Sequence, residues 1–457
     1  MSTAEKALQF NLDPLRYGTI AEIGAGQEVA RHFFQAGGAS GTVAKATSAY
    51  DMRFSDAIYG PDGTGRYVTK ERLLRMLERE YRLVVDRVSI VRDPASRFFA
   101  FADTVSARRY GADSEDHGWM GIRFQHKPGA DPSQIVLHVR MLDSSNTGQQ
   151  AALGILGVNL IHSAFQYSDD CRELVDSLTE NLTWGRIEID YIHLEGPNFG
   201  GVDNQEMALR LVTSSLGPVV MFDAGGGVAL PADMLYKRVP LLIRGTFRPF
   251  TNVHTDMIRC GVDGLAAELD LEPNRIVVLC EMNVARYLYD GQDDVSDLQA
   301  RVRMITALGY NAMVTSHLRF FRLGEYFLRR SQRRLAFSLS VHDLGTIFDE
   351  RFYDGLEGGI LQAIAQLFAS DSKLLVYPNL TADGTVRTAE NVEVPDEQQY
   401  LYRHLLHNRR IIALEPERRN LVPYEPDALR ELIAQGDERW RSAVPSLVAE
   451  RIGELTL

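Results

Sequence analysis

The chain has 457 residues, enough for two to three domains at the usual ~150 residues each. It is 45% hydrophobic and 24% charged, which is ordinary globular usage, and 61 acidic against 49 basic residues give a formal net charge of −12. That acidic excess excludes a general nucleic-acid coat, which needs a basic surface, but leaves room for a local basic pocket around a small anion.

Three cysteines, Cys171, Cys260 and Cys280, follow no disulfide or metal spacing and point to a reducing cytoplasm. The first residues lack the charged start and apolar core of an export signal. No run approaches the ~20 apolar residues of a transmembrane helix, so a membrane is not an expected partner.

Along the chain, the first stretch is rich in glycine and reads as a helix near 26–36 followed by turns or a second helix. Residues 69–91 read as an amphipathic helix, with Thr69 as N-cap and an apolar stripe of Leu73, Leu77, Tyr81 and Val84. RFFAFADTVSA, GWMGIRFQ and SQIVLHVRML between 97 and 142 read as strands joined by polar loops, hence an antiparallel or mixed sheet. Helices at 147–166 and 170–182 and a strand at 186–196 follow.

Helices and strands then alternate. Strands are expected at 218–223, 239–245, 275–281, 311–315, 334–341 and 373–377. Helices are expected at 204–216, 252–262, 295–308, 317–331 and 344–369. PLLI, RIVVLC and KLLVYP are apolar on both sides of the pleat, as in a parallel sheet covered by helices. The fold class is therefore α/β, with a Rossmann-like, mainly parallel sheet in the C-terminal half and a mixed α+β domain before it. A (β/α) barrel is the alternative, since about eight strands follow one another in βα order. The expected domains are 1–230, 231–380 and a helical tail 381–457.

The segment that carries chemistry is VPLLIRGTFRPFTNVHTDMI at 239–258. A buried strand ends near Gly245, a glycine and a proline shape a loop, and a helix opens near Asn252. A helix start offers unpaired N–H donors to phosphate, and Arg244, Arg248, Thr251 and His254 stand around it. Ligands of open α/β sheets sit beyond the carboxyl ends of strands, and those ends also carry Glu281, Thr315 to Arg319 and His342-Asp343. Glu281 or Asp343 is a candidate to hold Mg²⁺ through water. Asp343 equally suits a helix N-cap, and Glu281 an ion pair with an arginine.

Gly245 to His254, spelled GTFRPFTNVH, resembles the signature loop of the nucleotidyltransferase superfamily, in the form G-T-F-D-P-x-T-N-G-H found in pantetheine-phosphate adenylyltransferases. The resemblance implies transfer of AMP from ATP to a phosphorylated small-molecule acceptor, such as nicotinate mononucleotide, with Mg²⁺. It implies that Thr251 and His254 contact the ATP phosphates and that Gly245, Thr246 and Phe247 line the nucleotide. Thr315-Ser316-His317-Leu318-Arg319 is a loose match to the superfamily's second signature, S-T-x-x-R, which implicates Thr315, Ser316 and Arg319. Arg248 stands where the family has Asp, and Val253 where it has Gly. At whole-chain level the sequence also resembles an uncharacterised bacterial family, through GQEVARHFFQAGGASGTVAKATSAYDMRFSDAIYG and LEGGILQAIAQLFASDSKLLVYP. Its members carry the labels nicotinate-nucleotide adenylyltransferase or TonB-dependent receptor.

Three functions compete. The first is AMP transfer, with a nucleotide or phosphate ligand. The second is a non-catalytic structural or interaction protein on a worn nucleotidyltransferase frame, with a filled pocket and self-association into a homo-oligomer. The third is a different small-molecule enzyme at the same strand ends. Other segments read as structural. GAGQEVA at 24–30 has no strand expected before it, Lys45 is misplaced for a phosphate loop, and His193 and Glu195 read as a surface pair. The run FLRRSQRR at 327–334 reads as a solvated helix end.

Overall fold

Six strands open the chain: β1 (Arg16–Gly24), β2 (Val43–Ala49), β3 (Arg97–Val105), β4 (Asp116–Phe124), β5 (Ser133–Met141) and β6 (Ile187–Glu195). They come from a computed structural model that describes residues 1–24, 26–61, 67–106, 116–285, 295–330, 334–381, 384–416 and 426–454. The chain divides into two units, Met1–Pro218 and Val219–Leu457.

In the first unit the sheet order is β2-β1-β3-β4-β5-β6. β1 runs parallel to β2 and β3, and the pairs from β3 to β6 are antiparallel. Parallel neighbours need a crossover, and the helix Val29–Ala36 supplies the one between β1 and β2. The helices Met52–Tyr59 and Lys70–Val88 lie between β2 and β3. The Lys70–Val88 helix starts where its cap predicts, with Thr69 Oγ1 accepting from the Arg72 N–H at 3.1 Å. Leu73, Leu77, Tyr81 and Val84 are buried as a stripe, each apolar side chain contributing about 1.5–3 kcal/mol. Gly121 on β4 lets this helix approach, since a Cβ there would stand 3.0 Å from Leu77 Cδ1. The opposite face of the sheet packs through Phe99 and Phe124 on Phe165 of the helix Asn146–Gln166.

The sequence reading missed three N-terminal elements: the helix Thr3–Asn11, β1 and β2. β1 carries glycines at 18 and 24 and a buried Glu22, and β2 is built from small residues, so neither shows an apolar run. The turn or second helix expected after residue 36 is β2 followed by the helix Met52–Tyr59.

The second unit contains β7 (Val219–Phe222), β8 (Val228–Ala229), β9 (Val239–Arg244), β10 (Ile276–Asn283) and β11 (Asn311–Thr315). Beyond them lie β12 (Arg334–Ser340), β13 (Asp371–Tyr377), a hairpin of β14 (Asn379–Leu380) and β15 (Val386–Arg387), and β16 (Ile411–Ala413). The large sheet has the order β16-β13-β12-β9-β10-β11-β7-β8. Pairs from β16 to β11 are parallel; β7 is antiparallel to β11 and to β8. From β9 the chain steps outward through β10 to β11, then returns to the other side of β9 with β12. The order therefore reverses between β9 and β12, the place where open α/β sheets form a crevice.

Among the described residues this row is open, with β16 and β8 at its edges, so the barrel alternative does not hold. The unit boundary lies at 218/219 rather than 230/231, because β7 and β8 pair into the second sheet. The stretch from 381 on belongs to the same unit: β16 extends the sheet, and Tyr402 and Leu405 of the helix Gln399–His407 enter its core. No described helix is long and apolar enough to cross a membrane.

Candidate functional site

The loop after β9 folds back on itself. Phe247 and Phe250 are 1% and 0% exposed and stack at 5.5 Å between ring centroids. The His254 ring lies 4.9 Å from Phe247 and 5.1 Å from Phe250, and Tyr310 stacks on Phe250 at 5.7 Å. Gly245 lies under the Phe247 ring, and a Cβ there would stand 3.1 Å from Phe247 Cζ, so the ring would have to give by a few tenths of an ångström.

Thr251 caps the helix Asn252–Leu269. Its hydroxyl accepts from the His254 N–H at 3.4 Å and lies 2.8 Å from His254 Nδ1. Nδ1 in turn accepts from the Thr251 N–H at 3.0 Å. The imidazole thus fills the place that Glu or Gln takes in an ordinary capping box. Burial pushes the His254 imidazole down to about 4, so it is neutral at neutral pH. Thr251 and His254 are brought together as expected, but facing each other inside a helix cap rather than open to a phosphate.

The cations around the loop are paired. Arg248 forms an ion pair with Asp297, which also takes Arg301 at 2.6 Å. Arg301 further donates to the carbonyl of the exposed Thr246 at 3.0 Å. Arg244 grips Glu281 from two nitrogens, Nε at 2.5 Å and Nη2 at 3.0 Å. The Thr315 hydroxyl donates to the same carboxylate at 2.6 Å. The remaining reach of Arg244 goes to the carbonyls of His317 and Leu318, both at 2.7 Å. This lock joins the carboxyl ends of β9, β10 and β11, with Ser316 half-buried beside it. Burial, then neighbouring arginines, lowers His317 to about 4. Arg319 begins the helix Phe320–Arg329 and lies over the Phe352 ring at 4.6 Å. In the run 327–334, Arg330 lies 3.5 Å from the Tyr326 ring centroid; residues 331–333 fall outside the described part.

The proposed magnesium ligands do not fit the ion. Glu281 is 0% exposed and committed to Arg244 and Thr315. Ser340, not Asp343, is the N-cap of the helix Val341–Ile347; Asp343 is its third residue and accepts from the Ser340 hydroxyl at 2.8 Å. It follows β12, across β9 from Glu281. Among the described residues no three or more His, Cys, Asp or Glu side chains group to hold a metal.

In the first unit, GAGQEVA does follow a strand, contrary to the sequence expectation, because β1 ends at Gly24. The anion position at the next helix is nevertheless taken. Glu22 accepts from the N–H groups of Val29 at 3.0 Å and Ala30 at 3.3 Å. Glu22 sits beside Asp103 of β3 in register. Gly26 covers that carboxylate, since a Cβ there would stand 2.4 Å from Asp103 Oδ1. Asp103 is fully buried, and among the described residues neither of its oxygens has a hydrogen-bond partner. Burial and then the Glu22 charge hold its carboxyl well above the usual carboxylate range; burial also raises Glu22, against the two helix donors. Lys45 pairs with Glu80 at 2.6 Å, and His193 with Glu195 at 3.6 Å on a partly exposed face, as a surface pair does.

A second polar constellation lies on the sheet face that Gly121 presents to the Lys70–Val88 helix. His117 on β4, His138 on β5 and Asp190 on β6 form a line. His117 Nδ1 lies 3.0 Å from His138 Nε2, and His138 Nδ1 lies 2.5 Å from Asp190 Oδ1. Arg140 Nε donates to Asp190 Oδ2 at 2.8 Å. His138 and Asp190 are each 1% exposed, while His117 is half-buried. A register shift between His138 and Val139 makes this line possible. Ile189 pairs with Val139 and Tyr191 with His138, so Asp190 is the extra residue of a bulge, turned to the His138 side. Sequence reasoning passed over these residues. Each stands alone in its strand, and only the alternation in HVR and HGW hinted at a shared face.

No protein-family model matches the chain, and no curated protein matches it. Among solved structures, the competence/damage inducible protein CihA from Agrobacterium tumefaciens is similar over 36% of this chain and 96% of its own. Identity is 18% and the TM-score 0.25, a likeness too slight to bear on fold or function.

Proposed function

We propose that the C-terminal unit is a Rossmann-like frame of nucleotidyltransferase type whose phosphate loop has become a packing element, and that its role is structural or interactive rather than AMP transfer. One observation carries this reading: Phe247, Phe250 and His254 form a buried stack, with Thr251 and His254 spent on capping each other. The reversal of strand order between β9 and β12 supports the frame. The substitutions against the superfamily loop agree. Arg248 serves an ion pair with Asp297, and Val253 stands where a glycine would let adenosine approach.

Phosphate transfer needs preorganised donors aimed at the moving group. Here Arg244 and Arg248 have carboxylate partners, and His254 is a neutral ring inside the fold. Isothermal titration of ATP with Mg²⁺ into the full chain tests the reading. No saturable heat is expected. Saturation near one ATP per chain, lost in His254→Ala, would restore the adenylyltransferase reading.

A further inference from the structure

We propose that a cleft at the amino ends of β13 and β16 binds a phosphorylated small molecule, with Arg410 gripping the phosphate.

The cleft has a volume of about 490 Å³, the size of a small-molecule site. Asp371 and Lys373 of β13 form one wall, and Arg410, just before β16, another. His404 of the helix Gln399–His407 and Asn408, one turn on, add polar groups, while Phe368 and Leu405 give an apolar patch. The loop after β9 lies at the opposite ends of these parallel strands, so this site does not depend on how that loop is read.

Arg410 is set as a fork. Its Nη1 donates to Asp371 Oδ1 at 3.0 Å and to the carbonyls of Ser370 and Ser372 at 3.4 Å, which fixes the guanidinium. Among the described residues its Nε and Nη2 have no partner. These are the two nitrogens with which an arginine holds two oxygens of one anion. Lys373 is 8% exposed, and its ammonium donates to Glu268 Oε1 and to the Arg409 carbonyl, both at 3.0 Å. An ammonium has three donors, so one is left.

The backbone is bent to build this corner. Arg409 has φ 52°, in the left-handed region that favours glycine. The turn sends the Arg409 side chain to Glu268 and that of Arg410 to the cleft. The N–H groups of Asn408, Arg409 and Arg410 cover the last carbonyls of the preceding helix, at 3.1, 3.0 and 2.8 Å. In the ion pairs of this corner four cations, Arg334, Lys373, Arg409 and Arg410, meet two carboxylates, Glu268 and Asp371. Two positive charges remain, in a chain of net charge −12. A phosphomonoester, with a charge of about −1.5 to −2 at neutral pH, balances them; a carboxylate balances half.

The test is isothermal titration of phenyl phosphate into the full chain, with phenol as its uncharged match. One phenyl phosphate per chain is expected, with a Kd of about 1 mM or tighter, and no saturation with phenol. Arg410→Lys keeps the charge but loses the fork and is expected to weaken binding about tenfold. His404→Ala, at an exposed position, is expected to weaken it about threefold and provides the comparison if Arg410→Lys does not fold. Arg322→Ala, which removes a charge outside the cleft, is expected to bind as the wild type does. The proposal is overturned if phenyl phosphate does not saturate, if phenol binds as tightly, or if Arg322→Ala loses as much affinity as the cleft variants. Unchanged affinity in Arg410→Lys and His404→Ala overturns it too.

Discussion

Two strand–turn–helix junctions, after β1 and after β9, start alike and are closed by different chemistry. In both, a strand ends near a glycine and a helix follows with free N–H donors. After β1 the donors of Val29 and Ala30 are met by the carboxylate of Glu22 from the preceding strand. After β9 the cap is neutral, made by Thr251 and a buried imidazole inside an aromatic stack. The first solution carries an electrostatic cost, because Glu22 lies beside a second buried carboxyl, Asp103. The second carries none of that, and it packs the turn with aromatic rings instead. A glycine turn before a helix thus advertises donors without saying whether a ligand or the protein itself satisfies them.

The largest expected effect is at the lock that joins β9, β10 and β11. Glu281→Ala strands the Arg244 charge and the Thr315 hydroxyl in the interior and should cost about 3–5 kcal/mol in urea unfolding. A loss below about 1 kcal/mol would mean that the strand ends are held by packing alone.

An intermediate effect separates the two junctions by pH. An unfolded Asp titrates near ~3.9. Asp103 is raised above this in the fold, so its stabilising contribution is complete at low pH and is lost as pH rises through the folded value. Asp103→Asn should flatten that decline and stabilise the fold at pH 8 by on the order of 1–3 kcal/mol, read as a higher thermal midpoint. The imidazole of His254 behaves oppositely. Lowered to about 4, it contributes fully above the usual ~6.5 and loses that contribution as pH falls toward about 4. A pH profile of thermal midpoints that Asp103→Asn leaves unchanged would refute the carboxyl pair as an electrostatic burden.

The smallest effect is expected at the surface. Arg322 is half exposed and pairs with Glu325 at 2.9 Å on its own helix. Arg322→Ala should change stability by no more than about 0.5 kcal/mol. A larger loss would show that this arginine holds more than a solvated neighbour.

Much of the C-terminal unit was legible because its strands are buried on both faces and its helices are long. The strand at 311–315 and the helix starts near 252 and 296 fall within a residue or two of the pattern. Asp343 reads in the sequence as the N-cap itself, whereas Ser340 is the N-cap and Asp343 is the third helical residue that closes its capping box. The N-terminal strands were less so. β1 hides behind two glycines and an acidic residue, and without β1 the parallel start of the first sheet could not be inferred. Of the site residues, the meeting of Thr251 and His254 was local and therefore visible. The partner of Arg248 comes from 49 residues away and was not; that Glu281 could pair with an arginine was readable, but not that the arginine is Arg244, 37 residues away.

The sequence by itself determined the class of the chain, the alternation that builds the second sheet, and the caps that start its helices. These follow from backbone geometry within about four residues, where periodicity and capping act. Only the tertiary structure decided who occupies each polar position: Glu22 on the helix amides, Arg244 on Glu281, and His117, His138 and Asp190 in one line. Those pairings depend on strand register across distant segments. A single bulged residue moves a side chain such as that of Asp190 from one face of the sheet to the other, and packing rather than local pattern sets it.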